Sequence, residues 1–513
     1  MKHKLFYTAL LLIPFILTSC QSSFEQQGYT KKGVKYENYV DDVRYDKQLF
    51  YKNNDKIVGA DPSVITVGDT YYLYVTNALA SGDTSYIQGF KSKNLSDWDY
   101  LGNVFVPNRH AWAVYNLWAP EVIEYQDKFY MYYSGHDTNK GEMGIGLAIS
   151  DNPAGPFKEY EGTLANGTVI NHTKTPFNFG FKMIDPSIFI EDDHIYMYVS
   201  KDQVEGKSSI YGVELETDMV SVKPGSLVGP LVEPSQEWEN PHGSSKWNEG
   251  PFVVKHQDTY YLTYSANYYS SLLYSVGYAT ADHPLGPYTK SDQNPILAAT
   301  EELSYISGPG HNSMFYSIDH RELFIAYHSH IDVDSGGSQR KINFDRVRFN
   351  DGAMEIIGPS YGPQLLPSGS GKYGDISHLA TVSSNQNRAV DRLIDGHINF
   401  DINDVAGSEY LIDKSEAITF TFDQSVDIYA ILVYDSADYE LSGTKYSLKF
   451  DQDEIKDVYF NPNYKFLDRL DYEIKIPGTA SIIQFEKLTS KTIQLKFNKG
   501  ISLSEIIIVG EVS

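Results

Sequence analysis

The chain of 513 residues carries 42 Lys and Arg against 67 Asp and Glu, a formal net charge of −25, with 14 % aromatic residues and one cysteine. That length exceeds what one hydrophobic core serves, so two or more domains are expected. The acidic balance excludes nucleic acid as a partner, since phosphates require a basic face, and a lone cysteine excludes a disulfide framework.

The chain opens on a positive start, Met1 to Lys4, and a mostly apolar run, Leu5 to Leu17, closed by Thr18, Ser19 and Cys20. The run is short of the roughly 20 residues that a bilayer span needs, so residues 1–19 read as a secretory signal. A leucine three positions before Cys20 resembles the bacterial lipobox. The resemblance implies that Cys20 is the lipidated first residue of a lipoprotein anchored in the outer membrane of the cell envelope, with 20–28 as a polar tether.

A hairpin unit then recurs five times. Asp61-Pro62-Ser63-Val64 leads through Gly68-Asp69 into the apolar run 71–76; Ala119-Pro120-Glu121-Val122 leads through Gln126-Asp127 into 129–134. Asp185-Pro186-Ser187-Ile188, Glu249-Gly250-Pro251-Phe252 and Gly310-His311-Asn312-Ser313 lead in the same way into 195–200, 260–265 and 323–328. A recurrence of roughly 60 residues suits a four-stranded propeller blade with generous loops. The predicted fold class is therefore all-β: a five-bladed β-propeller over 29–366, a Gly/Ser/Pro-rich linker over 367–374, and a β-sandwich over 375–513. Segments such as Ala417-Ile418-Thr419-Phe420-Thr421-Phe422 resemble the galactose-binding-like discoidin sandwich, which implies a carbohydrate-binding module or a structural companion of the propeller.

Innermost strands of a propeller start at one end of the central channel, so residues of one repeat phase converge there. Asp61, Glu121, Asp185, Glu249 and His311 are read as that phase. Four carboxylates and a histidine at one axis fit two chemistries, acid–base cleavage of a glycosidic bond and metal binding. Trp112 and Trp118, just before the second unit, offer indole faces for stacking on sugar. Arg340, in Ser338-Gln339-Arg340-Lys341, is placed to hydrogen-bond sugar hydroxyls or Asp61.

Over roughly 45–365 these motifs resemble glycoside hydrolase family 43, the five-bladed arabinofuranosidases, xylosidases and arabinanases. The resemblance implies that Asp61 is the general base, Glu249 the general acid, and Asp185 the carboxylate that orients the acid and raises its pKa. Trp118, Glu121, Trp112 and Arg340 are then the expected substrate-binding residues. His311 is implied to be an axial histidine beside a structural calcium, with no cofactor required for the chemistry. The implied activity is inverting hydrolysis of terminal α-L-arabinofuranosyl residues of a plant-type polysaccharide or oligosaccharide by a monomer. β-D-xylosidase, endo-arabinanase and a non-catalytic glycan-binding propeller are the alternatives. Inversion requires the Asp61 and Glu249 carboxyls to stand about 6.5–9.5 Å apart, with room for a water between them.

Overall fold

The computed structural model describes residues 46–512, apart from 54–56, 79–83, 205, 242, 244–245, 300–305, 401–406, 408, 438–444, 452, 460–463, 468–471, 476–477 and 479, together with two earlier strands, Tyr29–Lys31 and Val34–Tyr39. The expected signal, the lipidation site Cys20 and the tether lie outside the described residues.

Five four-stranded antiparallel sheets follow one another, each made of consecutive strands. Their first strands are Ala60–Val67, Trp118–Tyr125, Met183–Glu191, Asn248–His256 and Gly310–Tyr316. These pack against one another in a closed ring, blade 5 against blade 1 included, which is the five-bladed β-propeller. Second strands such as Thr70–Thr76 (TYYLYVT) and Thr259–Ala266 (TYYLTYSA) are buried on both faces. A neighbouring blade covers each face, which is why aromatic and β-branched residues run on without a polar alternate. Tyrosines in this run also fasten one blade to the next. Buried Tyr74, Tyr132 and Tyr198 donate their hydroxyls to the carbonyls of Pro153, Met219 and Pro284 in the following blades, at 2.6, 2.5 and 2.7 Å. The ring closes between blades 5 and 1, where Gly59 N–H donates to Arg340 O and Ile342 N–H to Ile57 O, each at 3.0 Å.

The remaining chain forms a two-layered sheet domain around a separate apolar core that includes Phe420, Ile431, Leu448, Ile483, Leu495 and Ile506. Its long strands Ala417–Asp435 and Ala480–Phe497 pair with each other through two register shifts, and so pass from one layer to the other. Two expected boundaries move. The propeller does not begin at residue 29, because Val34–Tyr39 pairs with Ala480–Phe497 of the sandwich. The predicted linker is fastened to blades 5 and 1, with Ser368 N–H on Glu322 at 2.6 Å and Ser370 Oγ 3.1 Å from the Tyr71 hydroxyl of blade 1. After the propeller the sandwich sheet resumes at Tyr373–Asp375.

Candidate active site

Every first strand is bulged at the same place. Ala60, Trp118, Ile184, Glu249 and Gly310 pair with Thr76, Ser134, Ser200, Ser265 and His328 of the second strands; two residues are then skipped before pairing resumes. The first skipped residue has positive φ in all five blades: Asp61 (51°), Ala119 (45°), Asp185 (56°), Gly250 (58°) and His311 (49°). A bulge aims its residue out of the ladder, and here it frees an N–H that the preceding blade takes up. Ala119 N–H donates to Thr76 Oγ1 at 2.7 Å, Asp185 N–H to Ser134 Oγ at 2.8 Å, His311 N–H to Ser265 Oγ at 2.7 Å and Asp61 N–H to His328 Nδ1 at 3.2 Å. Between blades 3 and 4 a carboxylate intervenes. Gly250 N–H and Ser200 Oγ both donate to Asp185 Oδ2, at 3.1 and 3.3 Å.

This register corrects the predicted phase. Asp61, Asp185 and His311 share it, but Glu249 sits one residue before the bulge and Glu121 two residues after its first position. Trp118, half-buried, holds in blade 2 the register that Glu249 holds in blade 4. Glu121 lies beside Ser63, where burial pushes it up to about 8 against the Ser63 hydroxyl. Trp112 is 2 % exposed, and its ring packs between Tyr133 and the backbone of Gly135 and Gly144. It is blade core rather than an open stacking surface, because the glycines opposite leave a slot that the indole fills.

Asp61 faces one arginine and two histidines. Arg340 Nη1 donates to its Oδ1 at 3.2 Å, and His311 Nδ1 lies 3.5 Å from the same oxygen. His328 Nδ1 is 3.3 Å from it, but a nitrogen that already accepts the Asp61 N–H does not also donate. Burial, then the Arg340 charge, pushes His328 down to about 3 against the pull of Asp61, so this ring is neutral. For Asp61 burial acts upward, yet His311 and Arg340 outweigh it and hold the carboxyl well below the usual carboxylate range. All of these contacts fall on Oδ1, which leaves Oδ2 to receive a proton.

Glu249 is the electrostatic opposite. Burial pushes it up to about 7; the Tyr274 hydroxyl, donating to Oε1 at 2.9 Å, opposes that rise, and the Asp61 and Asp202 charges add to it. Asp185 is also pushed up to about 7, by burial first and then by Glu249 and Asp61, with His311 opposing. Its hydrogen bond to Gly250 holds the backbone just after Glu249. On the other side buried Asn248 donates to Glu239 Oε1 at 3.3 Å, and Glu239 is ion-paired with Lys290. The acid is thus gripped at both neighbouring residues.

Tyr274 and His328 escaped the sequence reading. Their rings stack at 5.6 Å with an interplanar angle of 6°, bridging the partner of Glu249 to the partner of Asp61. Gly310 makes room for them, since a Cβ there would lie 2.3 Å from the Tyr274 ring. His328 had a signal: opposite the residue before each bulge the second strands carry Thr76, Ser134, Ser200 and Ser265, and His328 alone breaks that hydroxyl series. Calcium takes six to eight oxygen ligands, whereas among the described residues no group of three or more His, Cys, Asp or Glu side chains is arranged to hold a metal. The imidazole of His311 is turned to Asp61, Nδ1 lying 3.5 Å from Oδ1, and the oxygen donors that a calcium beside it would take are not grouped there among the described residues.

The family described as Glycosyl hydrolases family 43 matches residues 56–354. The chain is 28 % identical over 373 residues to the Beta-D-galactofuranosidase xynD of Aspergillus niger, covering 70 % of this chain and 96 % of that one. It is 26 % identical to an Extracellular endo-alpha-(1->5)-L-arabinanase of Thermotoga petrophila, covering 62 % and 75 %. Among solved structures, a thermostable family-43 glycoside hydrolase superposes with a TM-score of 0.55 at 40 % identity, over 62 % of this chain and 99 % of the other.

Proposed function

Because this chain belongs to glycosyl hydrolases family 43, we propose that it removes terminal α-L-arabinofuranosyl residues from a polysaccharide or oligosaccharide with inversion at the anomeric carbon. The observation that carries the reading is the opposed settings of two buried carboxyls, Asp61 on blade 1 held by the Arg340 guanidinium at 3.2 Å and Glu249 on blade 4 beside the neutral Tyr274 hydroxyl at 2.9 Å, where burial raises it to about 7. Asp61 Oδ2 takes a proton from water as that water bonds to the anomeric carbon. Glu249 gives its proton to the glycosidic oxygen as the carbon–oxygen bond breaks, and exchange with solvent restores both groups. Asp185 acts through the Gly250 N–H by fixing the acid's backbone.

The sugar is supported by chemistry that two relatives share. One is named a β-D-galactofuranosidase and the other an endo-α-(1->5)-L-arabinanase; β-D-galactofuranose and α-L-arabinofuranose are five-membered rings of the same ring configuration that differ in the exocyclic arm. A β-D-galactofuranosidase is accordingly the second reading, favoured by the relative that covers 70 % of this chain. Release of nitrophenol from aryl α-L-arabinofuranoside, β-D-galactofuranoside and β-D-xylopyranoside decides between them. The expected order puts the arabinofuranoside first, and preference for the xylopyranoside would overturn the furanoside reading. Proton NMR of the first-formed sugar checks the stereochemistry, retention being the result that removes Asp61 as base.

The pH dependence follows from the same pair. The base stays charged down to low pH, whereas the acid must be protonated, so kcat/KM is expected to fall as pH rises through about 7. The Tyr274 hydroxyl stabilises the charged form of Glu249. Tyr274→Phe therefore raises the acid's pKa further and moves the alkaline limb to higher pH, measured as a kcat/KM profile from pH 5 to 9. A limb that stays in place or moves down would show that Glu249 is not the titrating acid.

A further inference from the structure

The loop joining the second and third strands of blade 4 shows large apolar side chains to solvent: Tyr268 is 42 % exposed, Leu272 39 % and Leu273 36 %. It is nevertheless tied down at nearly every residue. Asn267 Nδ2 donates to Trp238 O and to Leu273 O, each at 2.9 Å, His330 Nε2 lies 2.9 Å from Tyr269 O, Gly337 N–H donates to Ser270 O at 3.1 Å and Gly308 N–H to Leu272 O at 3.2 Å. An exposed aromatic on a fastened loop keeps its position without a ligand, so little order is lost when one binds.

Tyr268 does not stand alone. Its ring centroid is 5.8 Å from that of half-buried Trp247, with 47° between the planes, and 4.8 Å from that of Tyr269, which carries the Arg340 guanidinium 4.8 Å above its own centroid. Trp247 is two residues from Glu249, and the loop ends at Tyr274, the hydrogen-bond partner of Glu249. Burial, Tyr269 and the Glu249 charge all push the Tyr268 hydroxyl up, which puts it within electrostatic reach of the acid.

Resting on the proposed roles of Asp61 and Glu249, we propose that Trp247 and Tyr268 form the leaving-group subsite, an aromatic platform of two adjoining rings for the sugar unit to which the cleaved residue is attached. The side follows from the chemistry. Glu249 protonates the oxygen of the departing fragment, so that fragment lies over blade 4, while the cleaved sugar lies toward Asp61 on blade 1. The apolar C–H faces of a sugar ring stack on indole and phenol, and the polar ring edges stay wet.

The test compares α-1,5-L-arabinotriose with methyl α-L-arabinofuranoside, whose leaving group is too small to reach the platform. In Trp247→Ala/Tyr268→Ala the ratio of kcat/KM for the trisaccharide over the methyl glycoside is expected to fall about tenfold, mostly through KM. Phe at both positions is expected to restore most of the ratio. An unchanged ratio, or equal losses on both substrates, overturns the platform. Calorimetric titration of arabinotriose into Asp61→Asn protein, with and without the two alanines, reads the platform without turnover; equal affinities also overturn it. If the wild-type protein released no sugar from either compound, the proposed function would fall, while the titration would still decide the platform.

Discussion

Asp61→Asn is expected to lower kcat by about 10³–10⁴-fold, with KM changed far less. Asparagine keeps the shape and can accept from Arg340 through Oδ1, but it presents an amide where Oδ2 took the proton of the attacking water. The loss is catalytic because Asp61 Oδ1 is already held by Arg340 at 3.2 Å, which leaves the other oxygen for the water proton. The substitution also strips a negative charge from a buried site that retains Arg340, so some stability is lost. A thermal melt separates that effect, and Asp61→Glu, which restores the charge at the wrong reach, is expected to recover stability without recovering rate. Turnover of Asp61→Asn near the wild-type level would remove the base assignment.

Much of the fold could be read from the repeat, because a hairpin of aromatic and β-branched residues states its own period and five of them close a ring. The register at the channel could not be read from acidic residues alone. Asp61, Glu121, Asp185 and Glu249 invite alignment as carboxylates, yet the bulges align Asp61, Ala119, Asp185, Gly250 and His311. The marker was proline. Pro62, Pro120, Pro186 and Pro251 all follow the positive-φ residue, where the chain makes no ladder bond and a residue without an N–H costs nothing. Asp61 and Asp185 were legible because each lies on such an Asp-Pro pair. Glu249 is legible from its repeat unit, Glu249-Gly250-Pro251-Phe252, but sits beside the bulge rather than on it.

Contacts between distant segments were illegible. Tyr274 lies on a loop with no repeat partner, and only the structure sets it between Glu249 and His328. Trp112 looked like a sugar platform by its position before the blade-2 motif. The glycines at 135 and 144 that let it sink into the core lie on different strands. The platform that does face solvent, Trp247 with Tyr268, is assembled from the start of blade 4 and a loop some twenty residues later. Pairing of the early strand Val34–Tyr39 with the sandwich spans nearly the whole chain, a distance over which sequence pattern carries no information.

Glu249→Gln is expected to separate substrates by their leaving groups. Glutamine still accepts the Tyr274 hydroxyl, and the Asp185–Gly250 and Asn248–Glu239 contacts that flank it are untouched, so the site keeps its shape and loses one proton. A sugar or methanol leaving group needs that proton, and turnover of arabinotriose should fall about 10²–10⁴-fold. A 2,4-dinitrophenyl arabinofuranoside leaves as a stable phenolate without help, and its rate should fall by far less. The alkaline limb near pH 7 should disappear with the carboxyl that produces it, because glutamine does not titrate. The combination is diagnostic, since a distorted site would slow both substrates and keep whatever pH dependence survived. Equal losses on the two glycosides, or an alkaline limb that persists, would transfer the limb to Asp185, the other carboxyl that burial pushes up to about 7, and remove Glu249 as the acid.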